Sequence, residues 1–300
     1  QDADGLGKHL WEAASRGDHD QVALALDQGA DIEWCNTSAK TDTPLTVACR
    51  NGHESVVGLL LDRGASINAT NQFQATPLHI AAQNGHESIV GLLLDRGASI
   101  DAVTNDIWTS LHIACRSGHE SIAGLLLSRG ASIDSANKDN WTSLHFAASN
   151  GHESVVGLLL ERRASIDAVT NNHWTPLQIA AQNGHESVVG LLLERGASIN
   201  AATKDNWTSL HVAARKGHES VVGLLLDRGA SINAATKDNE TSLHVVALDG
   251  HESIARLLLE RGASIDAVEK DNCTPLHVAA LGGHESVARL LLERRASINA

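Results

Sequence analysis

Hydrophobic and polar positions in this chain recur in a fixed order. In residues 76–107 a short apolar set, Leu78, Ile80, Ala81 and Ala82, precedes a polar break and a second set, Ile89, Val90, Leu92, Leu93 and Leu94. The first set predicts a short helix with one apolar side, and the second recurs at helical spacing. Thr76 and Pro77 suit a helix start, Thr as N-cap and Pro at the first helical position. Gly85 ends the first helix in the left-handed conformation. His86 and Glu87 open the second helix, where an acid suits the helix dipole, and Gly97 is its stop. Ser99 to Ile107 is then an extended turn into the next unit. Elsewhere this turn is rich in Asn and Asp, as in Lys204-Asp205-Asn206, and Asn before Trp207 suits the positive φ of a tight hairpin.

The whole pattern repeats. Tetrapeptides starting at Thr43, Thr76, Thr109, Thr142, Thr175, Thr208, Thr241 and Thr274 are spaced by 33 residues and read TPLT, TPLH, TSLH, TSLH, TPLQ, TSLH, TSLH and TPLH. Each leads to a Gly, from Gly52 to Gly283, then to HESxxxxLLL or a close variant, and then to ASI followed by Asp or Asn. A divergent first unit, residues 1–37, lacks the TPLH start, and the loop after it is two residues longer. Eight units follow, at 38–70, 71–103, 104–136, 137–169, 170–202, 203–235, 236–268 and 269–300. A single unit cannot bury both apolar helix faces alone, whereas stacked neighbours can. The expectation is an all-α solenoid of helix–turn–helix–hairpin units forming one domain.

Composition narrows the chemistry. The 300 residues are 42% hydrophobic but only 3% aromatic, with two Phe, six Trp and no Tyr, so the core must be built from Leu, Val, Ile and Ala. That apolar fraction argues against wholesale disorder. The longest aliphatic stretches are short, such as Leu59 to Leu61, which leaves no candidate membrane span. Lys and Arg number 23 against 36 Asp and Glu, for a net charge of −13, which argues against binding a phosphate backbone. Cys35, Cys49, Cys115 and Cys273 show no metal-type spacing, and thiols this scattered suit a reducing compartment, here the cytoplasm. With Gln at position 1 and no Met, the natural start is expected to have been trimmed away.

The TPLH-type motifs at this period resemble those of the ankyrin-repeat family, over residues 8–300. The resemblance implies a non-catalytic protein-interaction module or scaffold, although the fold hosts many functions. GLGKHLWEAASRGDHDQVALALDQGADI is similar to an amino-terminal capping unit, with Glu12 and Gln21 where the next unit has Val47 and Val56. Near-identical units such as HESVVGLLLDRGASINA also resemble the arrays of fungal NACHT-type receptors. That makes a ligand-sensing segment of a larger NTPase-type receptor one alternative, and a passive structural spacer another. In related ankyrin proteins the hairpin Asn can be hydroxylated, and Asn68, Asn200, Asn233 and Asn299 hold the matching slot.

No catalytic constellation is legible. The recurrent His-Glu pair lacks the second His of a zinc-protease helix, and no GxSxG, Walker loop or dinucleotide fingerprint occurs. The 17 histidines fall mostly in two repeat slots, where hydrogen bonds to the helix start and to neighbouring loops are expected. The reading is therefore of no enzyme, no cofactor and no metal site.

Individuality lies where the units differ. The slot before the helix-one Thr holds Asp42, Ala75, Trp108, Trp141, Trp174, Trp207, Glu240 and Cys273. Four consecutive Trp are expected to form a stripe on an inner, concave edge and to anchor a partner. The alternative is that each packs on the next hairpin. The tips add Phe73, Asp106, Asp139, His173 and Asp205, and Arg116 and Arg215 flank the stripe. An aromatic floor with an acidic rim would favour a basic or amphipathic peptide or protein rather than a nucleic acid or membrane. Arg163 and Arg295 stand where the repeat calls for Gly. The last unit keeps an ordinary apolar second helix, Val287 to Leu292, so an end-to-end contact, or further chain, is expected there.

Overall fold

The computed structural model describes residues 3–36 and 41–298. The boundary drawn after residue 37 and the slot residue Asn299 lie outside the described residues. Two compact units make up the chain, Gln1–Lys138 and Asp139–Ala300.

The first holds four helix pairs: α1 (Ala3–Arg16) with α2 (His19–Asp27), α3 (Pro44–Asn51) with α4 (Glu54–Asp62), α5 (Pro77–Asn84) with α6 (Glu87–Asp95), and α7 (Ser110–Ser117) with α8 (Glu120–Ser128). The second holds five: α9 (Ser143–Ser149) with α10 (Glu153–Glu161), α11 (Pro176–Asn183) with α12 (Glu186–Glu194), α13 (Ser209–Arg215) with α14 (Glu219–Asp227), α15 (Ser242–Asp249) with α16 (Glu252–Glu260), and α17 (Pro275–Leu281) with α18 (Glu285–Glu293). Among the described residues no β-strand forms; one isolated antiparallel bridge joins Asn36 and Asp42.

Within each unit the helices stack in two rows. First helices pack on first helices, as α3 on α5 and α11 on α13, and second helices on second helices, as α12 on α14. Alanine pairs let the first row approach closely: Ala81 and Ala82, Ala180 and Ala181, and Ala213 and Ala214 are fully buried. The second row contributes Ile89, Val90 and Leu93, and in α12 Val188, Val189 and Leu192, also fully buried. Truncating one such Leu to Ala costs about 3–5 kcal/mol, because the close-packed seam cannot collapse into the void.

The expected caps are present. Thr76, Thr109, Thr142, Thr208, Thr241 and Thr274 each form a capping box with the His three residues on. The left-handed stops fall at Gly85 (φ 79°) and Gly97 (φ 86°), and Arg163 and Arg295 adopt the same conformation at φ 66° and 69°. Asn206 has φ 60°, as the hairpin reading requires, but Gln74, Ile107 and His173 take that conformation too. The first unit extends further than its motif. Helix α1 begins at Ala3, and Gly7 sits so close to Trp34 that a Cβ there would lie 2.4 Å from the indole. Trp34 Nε1 donates to Asp4 at 2.7 Å, and Trp11 Nε1 donates to the Asp42 carbonyl at 2.9 Å. Glu12 and Gln21 are half-buried.

Candidate functional site

The histidines are committed to the scaffold. The helix-start His79, His145, His211 and His244 each join their own unit to the next one. His79 Nδ1 accepts from the Thr76 amide at 3.1 Å, which puts its ring proton on Nε2, and Nε2 donates to the Trp108 carbonyl at 3.0 Å. His211 does the same with Thr208 and the Glu240 carbonyl, and His244 with Thr241 and the Cys273 carbonyl. Burial pushes His79 and His244 below the ordinary imidazole range and His211 down to about 4, against the opposing pull of those carbonyls. The second set bridges loops: His86 Nε2 meets the Arg50 carbonyl at 3.0 Å, and His218 meets that of Gln182 at 3.0 Å. Among the described residues no three His, Cys, Asp or Glu side chains converge as a metal site, and no helix is long and apolar enough to cross a membrane.

The tryptophans are placed by a backbone clamp. Thr170 Oγ1 accepts from the Trp174 amide at 3.1 Å, and Thr203 Oγ1 from the Trp207 amide at 3.1 Å. Successive hairpins are laced tip to tip. The Asn105 amide donates to the Phe73 carbonyl at 3.0 Å, Asn171 to Asp139 at 3.0 Å, and Lys237 to Asp205 at 3.1 Å. The indoles are therefore fixed on the hairpin side of the first-helix row, each half-buried.

On the hairpin side of the described residues a cleft opens in each unit. The first, about 620 Å³, brings Phe73, Asp106, Trp108 and Arg116 together with Arg50 and Ile113. The Arg116 guanidinium lies 5.1 Å from the Trp108 ring centre, and Phe73 is 48% exposed. The second, about 650 Å³, brings Trp174, Asp205, Trp207 and Arg215 together. Arg215 lies 5.2 Å from the Trp207 ring centre. Such stacking holds a guanidinium flat and leaves its edge donors outward.

Three residues expected at the site line neither cleft. Asp139 and His173 are exposed hairpin residues, His173 with φ 62°. Trp141 packs on its own helix, 5.1 Å from the Phe146 ring and 5.9 Å from that of His145.

The rim differs from the expected acidic one. Lys138 pairs with Asp106 at 3.0 Å, Lys237 with Asp205 at 3.4 Å and Lys270 with Asp238 at 3.3 Å, so tip carboxylates are matched by lysines from the following hairpin. The second cleft also gathers Lys204, Lys216 and Lys237, which the sequence reading passed over. A signal for Lys204 was present: it holds the slot of Lys138 and Lys237, but the tip before it is Asn172, not Asp. Just beyond this cleft, Glu240 occupies the Trp slot half-buried. Burial, then Asp238 and Glu269, hold its carboxyl above the usual range.

Paired helices with laced hairpins and clefts along the hairpin side define a stacked helical repeat protein. The family described as "Ankyrin repeats (3 copies)" matches at residues 10–104, 99–171, 144–236 and 233–300. The chain belongs to that family. It is 41% identical over 63 residues to the Ankyrin repeat and KH domain-containing protein mask of Drosophila melanogaster, covering 21% of this chain and 2% of that protein. It is 35% identical over 65 residues to the E3 ubiquitin-protein ligase XBAT33 of Arabidopsis thaliana, covering 22% and 13%. It is 37% identical over 62 residues to the Arf-GAP with coiled-coil, ANK repeat and PH domain-containing protein 2 of Gallus gallus, covering 21% and 8%. The matched segments are thus a small part of each relative's length.

Proposed function

We propose that this chain is a non-catalytic protein-binding module or scaffold that takes a protein or peptide on its hairpin side. Repeats of this family are generally protein–protein interaction modules. The observation that carries the reading is the second cleft, in which Trp174 and Trp207 stand half-exposed beside a stacked Arg215. Trp and Arg dominate binding energetics at protein interfaces, and a rigid floor costs little ordering on binding. Outside the second cleft, the exposed tip carboxylate Asp139 favours a basic side chain at the partner's edge. Leu281, 80% exposed, and Leu292, 47% exposed, support a further contact of the ninth unit with another packed helical surface. An exposed thiol at Cys35 suits a reducing compartment, the cytoplasm.

The test is selection from a displayed library of random peptides, about twelve residues long, on the full chain. Enriched peptides should lose about tenfold or more in affinity with Trp174→Ala plus Trp207→Ala, at unchanged helical circular dichroism. A library that yields no specific binder overturns the reading.

A further inference from the structure

We propose that the cleft of the second unit selects acidic peptide segments, with carboxylates held by Lys204, Arg215, Lys216 and Lys237 around the Trp174–Trp207 floor. This rests on the protein-binding reading above and names the chemistry of the partner at that cleft.

The charge is local and one-sided. Three of the chain's seven lysines line this cleft, with Arg215 beside them. Asp205 is the one carboxylate in the lining, and Lys237 already engages it at 3.4 Å. The other hairpin lysines, Lys138, Lys237 and Lys270, each reach back to an Asp tip. Lys204 reaches back to Asn172, whose carbonyl accepts its amide at 3.3 Å but whose side chain offers no charge. Lys216 stands at the C-terminus of α13, where the helix dipole favours a cation. Other units place Asn84, Ser117, Asn183 or Asp249 in that slot. Among the described residues neither Lys204 nor Lys216 makes an ion pair.

Arg215 adds geometry. Stacked on Trp207, its guanidinium is pre-oriented for a carboxylate arriving at its edge. The nearby carboxyl of Glu240, raised by burial, Asp238 and Glu269 and opposed by attraction to Arg215, does not line the cleft. The net charge of −13 does not oppose a short ligand, because charges beyond about 8 Å are largely screened at physiological salt. A nucleic acid is disfavoured. Its phosphates would run on past the exposed tips Asp205, Asp238 and Asp271.

The selection described above also tests this, read for charge. Enriched peptides should be net acidic with an aromatic or aliphatic residue. The strongest should weaken about tenfold or more with Lys204→Glu plus Lys216→Glu, and about as much when salt is raised through the range that screens exposed charges. Enrichment of neutral or basic peptides, or acidic binders indifferent to the two Glu substitutions, would overturn the acidic assignment and leave the protein-binding reading standing. No enrichment would sink both. A ten-nucleotide oligothymidylate bound more tightly than the best peptide, and lost with the same substitutions, would also overturn it in favour of a nucleic acid.

Discussion

Gln178 Nε2 donates to the Trp207 carbonyl at 2.9 Å, while its Oε1 accepts from the Thr175 amide at 2.9 Å. One neutral amide therefore makes both bonds that His makes in the equivalent slot of other units. The difference is titration. Protonated imidazole carries a hydrogen on Nδ1, which would face the Thr amide donor, so the folded state holds these rings neutral. His211, with its pKa lowered to about 4, shows the consequence most clearly. The folded value lies below the unfolded one of about 6.5, so the unfolded chain binds more protons between them. Stability from this site is complete above about pH 6.5 and is lost as the pH falls toward 4. That loss amounts to about 2–3 kcal/mol near pH 4.5. His211→Gln should match the wild type at neutral pH and unfold at higher urea than wild type at pH 4.5. Equal acid sensitivity in the two proteins would contradict it.

The slot after the capping Thr holds Pro44, Pro77, Pro176 and Pro275 in four units and Ser110, Ser143, Ser209 and Ser242 in the others. All four Ser hydroxyls are buried without a hydrogen-bond partner. Pro at the first helical position sacrifices only an amide that has no intrahelical acceptor, and it restricts the unfolded chain. Ser143→Pro and Ser209→Pro should each raise stability by about 0.5–1 kcal/mol. A urea midpoint that falls would show that the hydroxyl is satisfied in solution.

Two kinds of glycine should respond oppositely. Gly190 lies inside α12, where an added Cβ would meet Leu224 Cδ2 at 3.8 Å, an ordinary contact. Gly190→Ala should stabilise by about 0.8–1 kcal/mol, since Ala is the better helix former. Gly52 has φ 80°, and a Cβ there would meet the His86 ring at 2.7 Å. Gly52→Ala should destabilise by at least about 1 kcal/mol, from left-handed strain and displacement of His86 from the Arg50 carbonyl. Calorimetric midpoints moving the same way for both would refute the distinction.

The helices, their caps and the repeated helix pairs were legible because their signals are local: apolar spacing, a Thr start and a Gly stop lie within one unit. The hairpins were less so. Positive φ was expected of Asn, yet Ile107 adopts φ 60° in the same closed turn as Gln74, its amide donating to the Thr104 carbonyl at 2.9 Å while the Thr104 amide donates to the Trp108 carbonyl at 3.0 Å. That closed turn overrides the preference of a β-branched residue. The start of α1 at Ala3 depends on Trp34, distant in sequence, covering Gly7. At the site, the sequence expectation named the Trp, Arg and Asp residues but not Lys204, Lys216 and Lys237, which line the second cleft beside them. The sign at Lys204 is set by what stands one hairpin earlier, at Asn172. Ile107→Asn should relieve the strain and raise stability by about 1 kcal/mol, read as a higher urea midpoint. A lower midpoint would mean that the Ile side chain contributes more packing than its backbone costs.

Trp141 and Trp174 occupy the same slot but not the same environment. Phe146 stands five residues after Trp141, where other units have Ile80, Ile179 or Val212, and the two rings pack at 5.1 Å. Trp174 lines the second cleft. The stripe therefore divides by environment, with Trp141 packed on Phe146 and Trp174 lining the cleft, so the proposed binding role falls to Trp174. Such aromatic pairs contribute about 0.5–1.5 kcal/mol beyond the area they bury. Trp141→Ala should lower stability by about 1–2 kcal/mol and leave peptide affinity nearly unchanged. Trp174→Ala should do the reverse, with near wild-type stability and peptide binding weakened about tenfold. The comparison needs both readouts on both variants, urea midpoints and titration with a selected peptide. If Trp141→Ala abolishes binding at unchanged stability, the two residues act as one continuous contact surface and the division of roles fails.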